Sequence, residues 1–307
     1  SRPNAKPQNV SRDFMKNIAE KENIDNFIDR LNFYKREKVI KTLYRGFSKK
    51  FAFPVYNLNL KYHNINDFAK CLFYYGDKSK YFWEQKNGRN FGLNDTSNEV
   101  FEYIFDLLNE IVKSPKKEKT IKYVRNNSKQ FNFFLKSDNK STFVKEIKSI
   151  NENKKTELRN FYFRIIHQLG ETQLKDKSIL ISATEEEIES EKFSGKNGIK
   201  IYFWDFDFNN IPFLKNNKIP IFQGKPYKNQ KEISIFGVIF PHYIYAVKDL
   251  ENEKIIFNPA LKNFKNFDEI ILTGFDIDQT NFSLNLKNQT NFNFGLQYNS
   301  SEFKLIK

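Results

Sequence analysis

The chain has 307 residues, 39% of them hydrophobic, with 34 Phe and 15 Tyr, so it can bury a core and is too apolar for a disordered chain. No apolar run approaches the ~20 residues of a membrane-spanning helix, and the opening Ser1-Arg-Pro-Asn-Ala-Lys-Pro-Gln8 has no apolar signal segment. A lone Cys71 excludes an internal disulfide framework, and the scattered His63, His167 and His242 argue against a metal site, so no metal, no membrane partner and a reducing, cytoplasmic compartment are expected.

Residues 1–10 read as a linker or an engineering scar, followed by a single domain over 11–307. The net charge of +14 lies entirely in the first half: residues 1–160 hold 33 Lys/Arg against 19 Asp/Glu, and residues 161–307 hold 18 against 18. A basic half suits nucleic acid or an acidic partner. Lysine and asparagine enriched together with Phe and Ile is also what AT-rich coding produces, and arginine, the better phosphate reader, is the minority cation.

The first half reads mainly as helices. Phe14, Ile18, Ile24, Phe27, Ile28 and Leu31 follow helical spacing, and Asn66 or Asp67 opens a helix carrying Phe68, Cys71, Leu72 and Tyr75. Val100, Tyr103, Ile104, Leu107, Leu108 and Ile111 form a full amphipathic stripe, with Thr96 and Ser97 as capping candidates and Pro115 beyond its end. A further helix carries Leu158, Phe161, Tyr162, Ile165 and Leu169 and ends at Gly170; polar connections are expected at 113–120 and 137–141. An early strand pair is expected at 41–47 and 50–56. From Ser178 the period becomes that of strands, at 178–184, 199–206, 233–239, 243–247, 255–257, 269–275 and 282–286, with a hairpin edge at 290–298. Helices first and sheet later give an α+β fold.

Three segments carry chemistry-bearing residues. Tyr44-Arg45-Gly46 ends a strand, where a cation beside glycine can approach a phosphate; a solvated strand end is the simpler reading. Ser182 and Thr184 stand one residue apart and so on one face of a strand, followed by Glu185, Glu186 and Glu187, a pattern that also suits helix capping. Ile188 and Phe193 would return that helix to the core. Glu251-x-Glu253 sets two carboxylates on one face of an extended segment, or forms a charged hairpin tip. His242, at a strand start, reads as a structural histidine that could also border a cleft with Tyr243, and His167, on an apolar helix, as a packed or capping residue.

In their order, these segments resemble the ADP-ribosyltransferase superfamily of the arginine–serine–glutamate type: an Arg on the first core strand, a Ser-x-Ser/Thr strand end and a late Glu-x-Glu ahead of a strand followed by Pro, here Arg45, Ser182/Thr184 and Glu251/Glu253 before Ile255–Pro259. Tyr44-Arg-Gly-Phe-Ser-Lys-Lys-Phe51 with Pro54, and the spacing of Leu180, Thr184 and Phe193, also resemble the FRG domain, with Ser182 where that family has aspartate and His167-Gln-Leu-Gly170 echoing its Gln-His-x-Gly stretch. The resemblance implies a split, twisted β-sandwich in the C-terminal half with a helical insertion at about 64–176, binding NAD as substrate and needing no metal. Arg45, beside Gly46, would hold a phosphate and Ser182 would position Glu253, with Thr184 bracing the strand. Glu253 would bind the nicotinamide ribose and stabilise the oxocarbenium-like state, and Glu251 would help the acceptor. Phe193 or Tyr202 would pack on nicotinamide, with His242 lining the same cleft. The implied activity is transfer of ADP-ribose to a macromolecule, protein or nucleic acid. NAD hydrolysis and a non-catalytic binding module stay open.

Overall fold

The computed structural model describes residues 18–51, 64–78, 81, 86–89, 91–92, 95–170, 173–174, 177–206, 220, 232–240 and 243–258. His63, His242, Pro54, Pro259, the linker at 1–10 and the strands expected at 269–275, 282–286 and 290–298 lie outside them, as does the Cys71 side chain.

The described elements are α1 (Ile18–Arg36), β1 (Ile40–Phe47), α2 (Ile65–Tyr75), α3 (Asn98–Lys113), α4 (Glu118–Asn126), α5 (Ser128–Leu135), α6 (Asn139–Lys148), α7 (Glu152–Gly170), β2 (Leu180–Thr184), α8 (Glu187–Ser194), β3 (Ile199–Phe206), β4 (Glu232–Phe236), β5 (Ile244–Asp249) and β6 (Lys254–Phe257). The fold is α+β, built on one six-stranded sheet in the order β4-β2-β1-β3-β5-β6, with every pairing antiparallel. The helical stripe expected at 100–111 is α3, with Val100, Ile104, Leu107, Leu108 and Ile111 buried. The polar runs at 113–120 and 137–141 are shorter connections than their composition suggests, since α4 starts at Glu118 and α6 at Asn139. Lys49–Phe51 forms a 3-10 turn at the start of the strand expected at 50–56, and residues 52–56 lie outside the described residues. Ser97 is the N-cap of α3 by position but makes no side-chain cap bond, and Thr96 donates to Glu152 instead.

Directly opposed residues of an antiparallel ladder share a face. One face of the sheet therefore carries Leu43, Arg45, Phe47, Ile181, Ala183, Ile201, Phe203, Ile235 and Val247, and it packs with Phe27 and Leu31 of α1 and Phe68 and Leu72 of α2 in one core. The other face carries Tyr44, Gly46, Leu180, Ser182, Thr184, Lys200, Tyr202, Glu232, Ser234 and Phe236. Over its β2–β4 side lies the helical layer α3–α7: Leu180 and Phe236 join that layer's core, and Phe163 of α7 meets Phe236 with rings 5.7 Å apart. Over its β1–β3 side lies α8.

α8 is built inside out. Ser190 and Ser194 face the sheet, while Ile188 and Phe193 are 72% and 56% exposed, so the expected return of these two to the core does not occur. The reason is Lys200, whose side chain is buried under the helix with its Nζ donating to Glu187 at 2.6 Å and Glu191 at 2.5 Å. Burial alone would lower the amine, but the two carboxylates outweigh it and hold it above its ordinary value. The helix can sit this close because the strands beneath it carry glycine: a Cβ on Gly46 would lie 2.0 Å from the Ser190 carbonyl oxygen. Gly46 thus serves helix packing, and the open approach to a ligand expected of it is taken by α8. Gly46→Ala is expected to cost at least the roughly 1–3 kcal/mol of an overpacked site, seen as a lower urea midpoint at unchanged slope.

Candidate functional site

β1 and β2 share one backbone pair, Tyr44 opposite Thr184. Continued, the ladder would set Gly46 opposite Ser182, but past Tyr44 the strands part and Arg45 bridges the gap. Its Nη1 donates to the Ser182 carbonyl at 2.9 Å and its Nε to Asp77 Oδ2 at 2.7 Å. Asp77 is fully buried just after α2 and is held by reciprocal backbone bonds with Ile239. Its Oδ1 accepts no hydrogen bond. The guanidinium also lies 5.7 Å from the Phe47 ring centre, a cation–π contact that helps hold its orientation.

On the other face, beneath the C-terminal end of α7, Ser182 Oγ donates to Glu232 Oε1 at 2.7 Å. The two are diagonal neighbours, since Ser182 pairs with Ser234 and Thr184 with Glu232. His167 Nε2 lies 2.7 Å from Ser182 Oγ and 3.2 Å from Glu232 Oε1, and its Nδ1 lies 3.0 Å from Ser178 Oγ. With the Ser182 proton directed to Glu232, Nε2 carries hydrogen and donates to the serine oxygen. Burial disfavours the charged Glu232 carboxyl, yet the bonds from His167 and Ser182 prevail and hold it below its ordinary value. This is not a hydrolase triad, because serine and carboxylate meet the same ring nitrogen and His167 cannot relay a proton between them. It is a carboxylate held ionised and fixed in place at a partly open seam, with 17% of its side chain exposed.

The sequence-expected residues divide. Arg45 meets Ser182 at its backbone carbonyl while the two side chains lie on opposite faces of the sheet. Thr184, on the Ser182 face, is buried and accepts the Glu186 backbone N–H at 3.1 Å. It is thus Thr184 that serves the start of α8, leaving Ser182 for Glu232. Tyr202 packs edge-on against Tyr44 with ring centres 5.5 Å apart and donates to Glu187 at 2.7 Å, under α8. Phe193 faces outward on α8. Glu251 and Glu253 stay apart from Ser182: they occupy the β5–β6 turn, where Glu253 has φ 53° and pairs with Lys248, and Glu251 accepts from Lys49 at 2.5 Å. β5 is three strands from β2, roughly 14 Å across the sheet. Placing Glu253 on Ser182 is therefore corrected, and the carboxylate found there is Glu232.

Glu232, Asp77 and Arg89 escaped the sequence reading. Glu232 begins a strand whose start was set one residue later, and nothing local tells it from other solvated glutamates. Arg89 is 2% exposed and donates to the carbonyls of Ser178, Ile179 and Gly237, tying the start of β2 to the end of β4. It follows an Asn87-Gly88 turn with both φ positive, which was the available signal. An open depression of about 620 Å³ lies elsewhere, between α3 and α6. Among the described residues no group of three His, Cys, Asp or Glu side chains is placed to hold a metal, and no helix is long and apolar enough to cross a membrane.

Asp77→Ala should destabilise the fold in denaturant unfolding by up to about 3 kcal/mol, because it leaves the partly buried Arg45 without its counter-charge. The Glu232 carboxyl is lower in the folded state than in the unfolded chain, so its ionic stabilisation is complete above the ordinary carboxylate range and is lost as pH falls through the folded-state value. The melting-temperature gap between the protein and Glu232→Gln should therefore be widest near neutral pH and narrow on acidification. Comparison with protein-family models, with curated proteins and with solved structures returned no match.

Proposed function

We propose that the chain is an NAD-consuming ADP-ribosyltransferase acting on a macromolecular acceptor, with Glu232 as the catalytic glutamate. The observation that carries this reading is the Ser182–Glu232 bond: the family pattern asks for a strand serine that positions a late glutamate, and Glu232 holds that relation to Ser182. Gln230 stands two residues ahead of it, in the position of the pattern's first glutamate. The parting of β1 from β2 beyond Tyr44, spanned by Arg45, supports a split sheet with the substrate cleft at the parting.

In this reading Arg45, anchored through Nε and Nη1 on the face of the sheet opposite Glu232, offers its Nη2 end to a phosphate oxygen of an NAD that threads the parting between β1 and β2. Asp77 offsets much of its charge, so the guanidinium acts mainly through fixed donor geometry. The bond from nicotinamide nitrogen to ribose C1′ breaks with its electron pair moving to the ring nitrogen, which releases neutral nicotinamide and leaves an oxocarbenium-like ribose. Glu232, kept anionic by His167 and Ser182, binds a ribose hydroxyl and stabilises that cation without reorganising. The acceptor's nucleophilic atom then bonds to C1′ and gives up its proton. With water as acceptor the same steps make a glycohydrolase.

Nicotinamide release from NAD, followed with and without a cell extract as acceptor source, tests the reading. Glu232→Gln should lose at least ~100-fold of the rate, on the scale of one transition-state electrostatic contact, while Glu253→Gln retains it. No release under any condition, or equal release by Glu232→Gln, overturns it. Transfer of label to macromolecules separates transferase from hydrolase.

A further inference from the structure

The chain's charge is concentrated more sharply than its halves suggest. Residues 113–155 hold thirteen Lys/Arg against four Asp/Glu, which is nine of the fourteen net positive charges. These residues are the outer part of the helical layer: the end of α3, then α4, α5, α6 and the first turn of α7. The apolar residues of these short helices turn inward, with Phe131, Phe134, Phe143, Val144 and Ile147 buried in one core. Lys122, Arg125, Lys129, Lys136, Lys145 and Lys148 are left exposed on the outside. Neutral hydrogen-bonding side chains, including Asn126, Ser128, Asn132 and Ser141, are exposed among them. The open depression between α3 and α6 shares Lys145, Lys148 and Ser141 with this set and is also lined by Lys140, Glu102 and Asp138.

We propose that the outer face of α4–α6 and the adjoining turn of α7 binds the phosphodiester backbone of a nucleic acid. Dispersed exposed cations interleaved with neutral donors suit a repeating chain of phosphates, whose binding is driven by release of condensed counterions. A stable protein interface needs an apolar centre, and a membrane-surface helix needs an apolar outer face. The large apolar residues exposed here are Ile121 at 36% and Leu135 at 40%, on different helices. α7 runs from this surface to His167, about 20 Å from Lys154 at the helical rise per residue. The proposal stands independently of the NAD reading and is tested without NAD.

The test is fluorescence anisotropy with labelled single-stranded RNA and duplex DNA of mixed sequence, titrated over a range of salt. The expected result is binding of one or both, with a log–log salt slope that the triple variant Lys122→Glu, Arg125→Glu, Lys129→Glu flattens by about two to three and an affinity it lowers at least ~10-fold, from roughly 0.7–0.9 per phosphate contact. The neutral triple to Gln should act in the same direction by less. Lys35→Glu with Arg36→Glu, which removes exposed cations from α1, should leave the slope unchanged. Melting temperatures establish that the variants fold. Failure of the protein to bind either probe at low salt overturns the proposal. So does an equal loss in the α1 variant, which would make the attraction a diffuse effect of net charge. Binding to phosphatidylserine vesicles that the triple variant abolishes, with neither nucleic acid bound, would make this a membrane surface instead.

Discussion

Arg45 spans the place where the sheet would otherwise come apart. β4 and β2 form one part of the sheet and β1, β3, β5 and β6 the other, and a single backbone pair joins the two. Beyond that pair the Ser182 carbonyl would lack a strand partner, and the Arg45 guanidinium supplies the donor. A guanidinium in that position, 14% exposed, needs a counter-charge, which buried Asp77 provides. Asp77 is in turn held by its backbone bonds to Ile239, in the segment just after β4. One side chain thus ties β1, β2 and the approach to β4, and it fixes where Ser182 and Glu232 stand.

Two further arginines do related work on the same half of the molecule. Arg89 gathers the carbonyls at the entry of β2 and the exit of β4, and Arg159 of α7 donates to the Asp95 carbonyl at 2.9 Å while lying 5.2 Å from the Phe236 ring centre. Burial pushes the Arg159 guanidinium down to about 10, still cationic at neutral pH. In a chain where lysine is the abundant cation, these buried bridging positions go to arginine, whose planar fork satisfies several carbonyls at once. Among the described residues the lysines are mostly left outside, and Lys200 is the buried exception there, clamped between two glutamates that hold α8 down.

Each motif of the sequence also had a plain structural reading, and the structure sorts them one by one. Glu251 and Glu253 are a charged hairpin tip, because the turn needs a left-handed residue and the neighbouring Lys49 and Lys248 supply partners. Thr184 braces the turn into α8, and Gly46 makes room for that helix. Ser182 and His167 meet through their side chains at Glu232, and Arg45 reaches Ser182 at its backbone carbonyl from the opposite face of the sheet. The spacing of two glutamates drew attention to the wrong carboxylates: a pair in sequence is conspicuous, whereas Glu232 becomes distinctive only through its cross-strand diagonal to Ser182.

Sequence by itself determined the helices among the described residues of the first half, the amphipathic face of α3, the strand at 199–206, the strand expected at 178–184 and found at Leu180–Thr184, and the sharing of one face by Ser182 and Thr184. All of these follow from local periodicity, which the chain carries within a few residues. Tertiary structure alone decided strand order, the parting of β1 from β2, the pairing of Arg45 with Asp77 and the choice of Glu232 as the carboxylate beside Ser182. It also turned α8 inside out, since a buried lysine on a neighbouring strand outweighed the outward Ile188 and Phe193. The reason is the same in each case: these arrangements depend on which distant segments meet, and the partner of a buried charge is set by the fold, not by its neighbours along the chain.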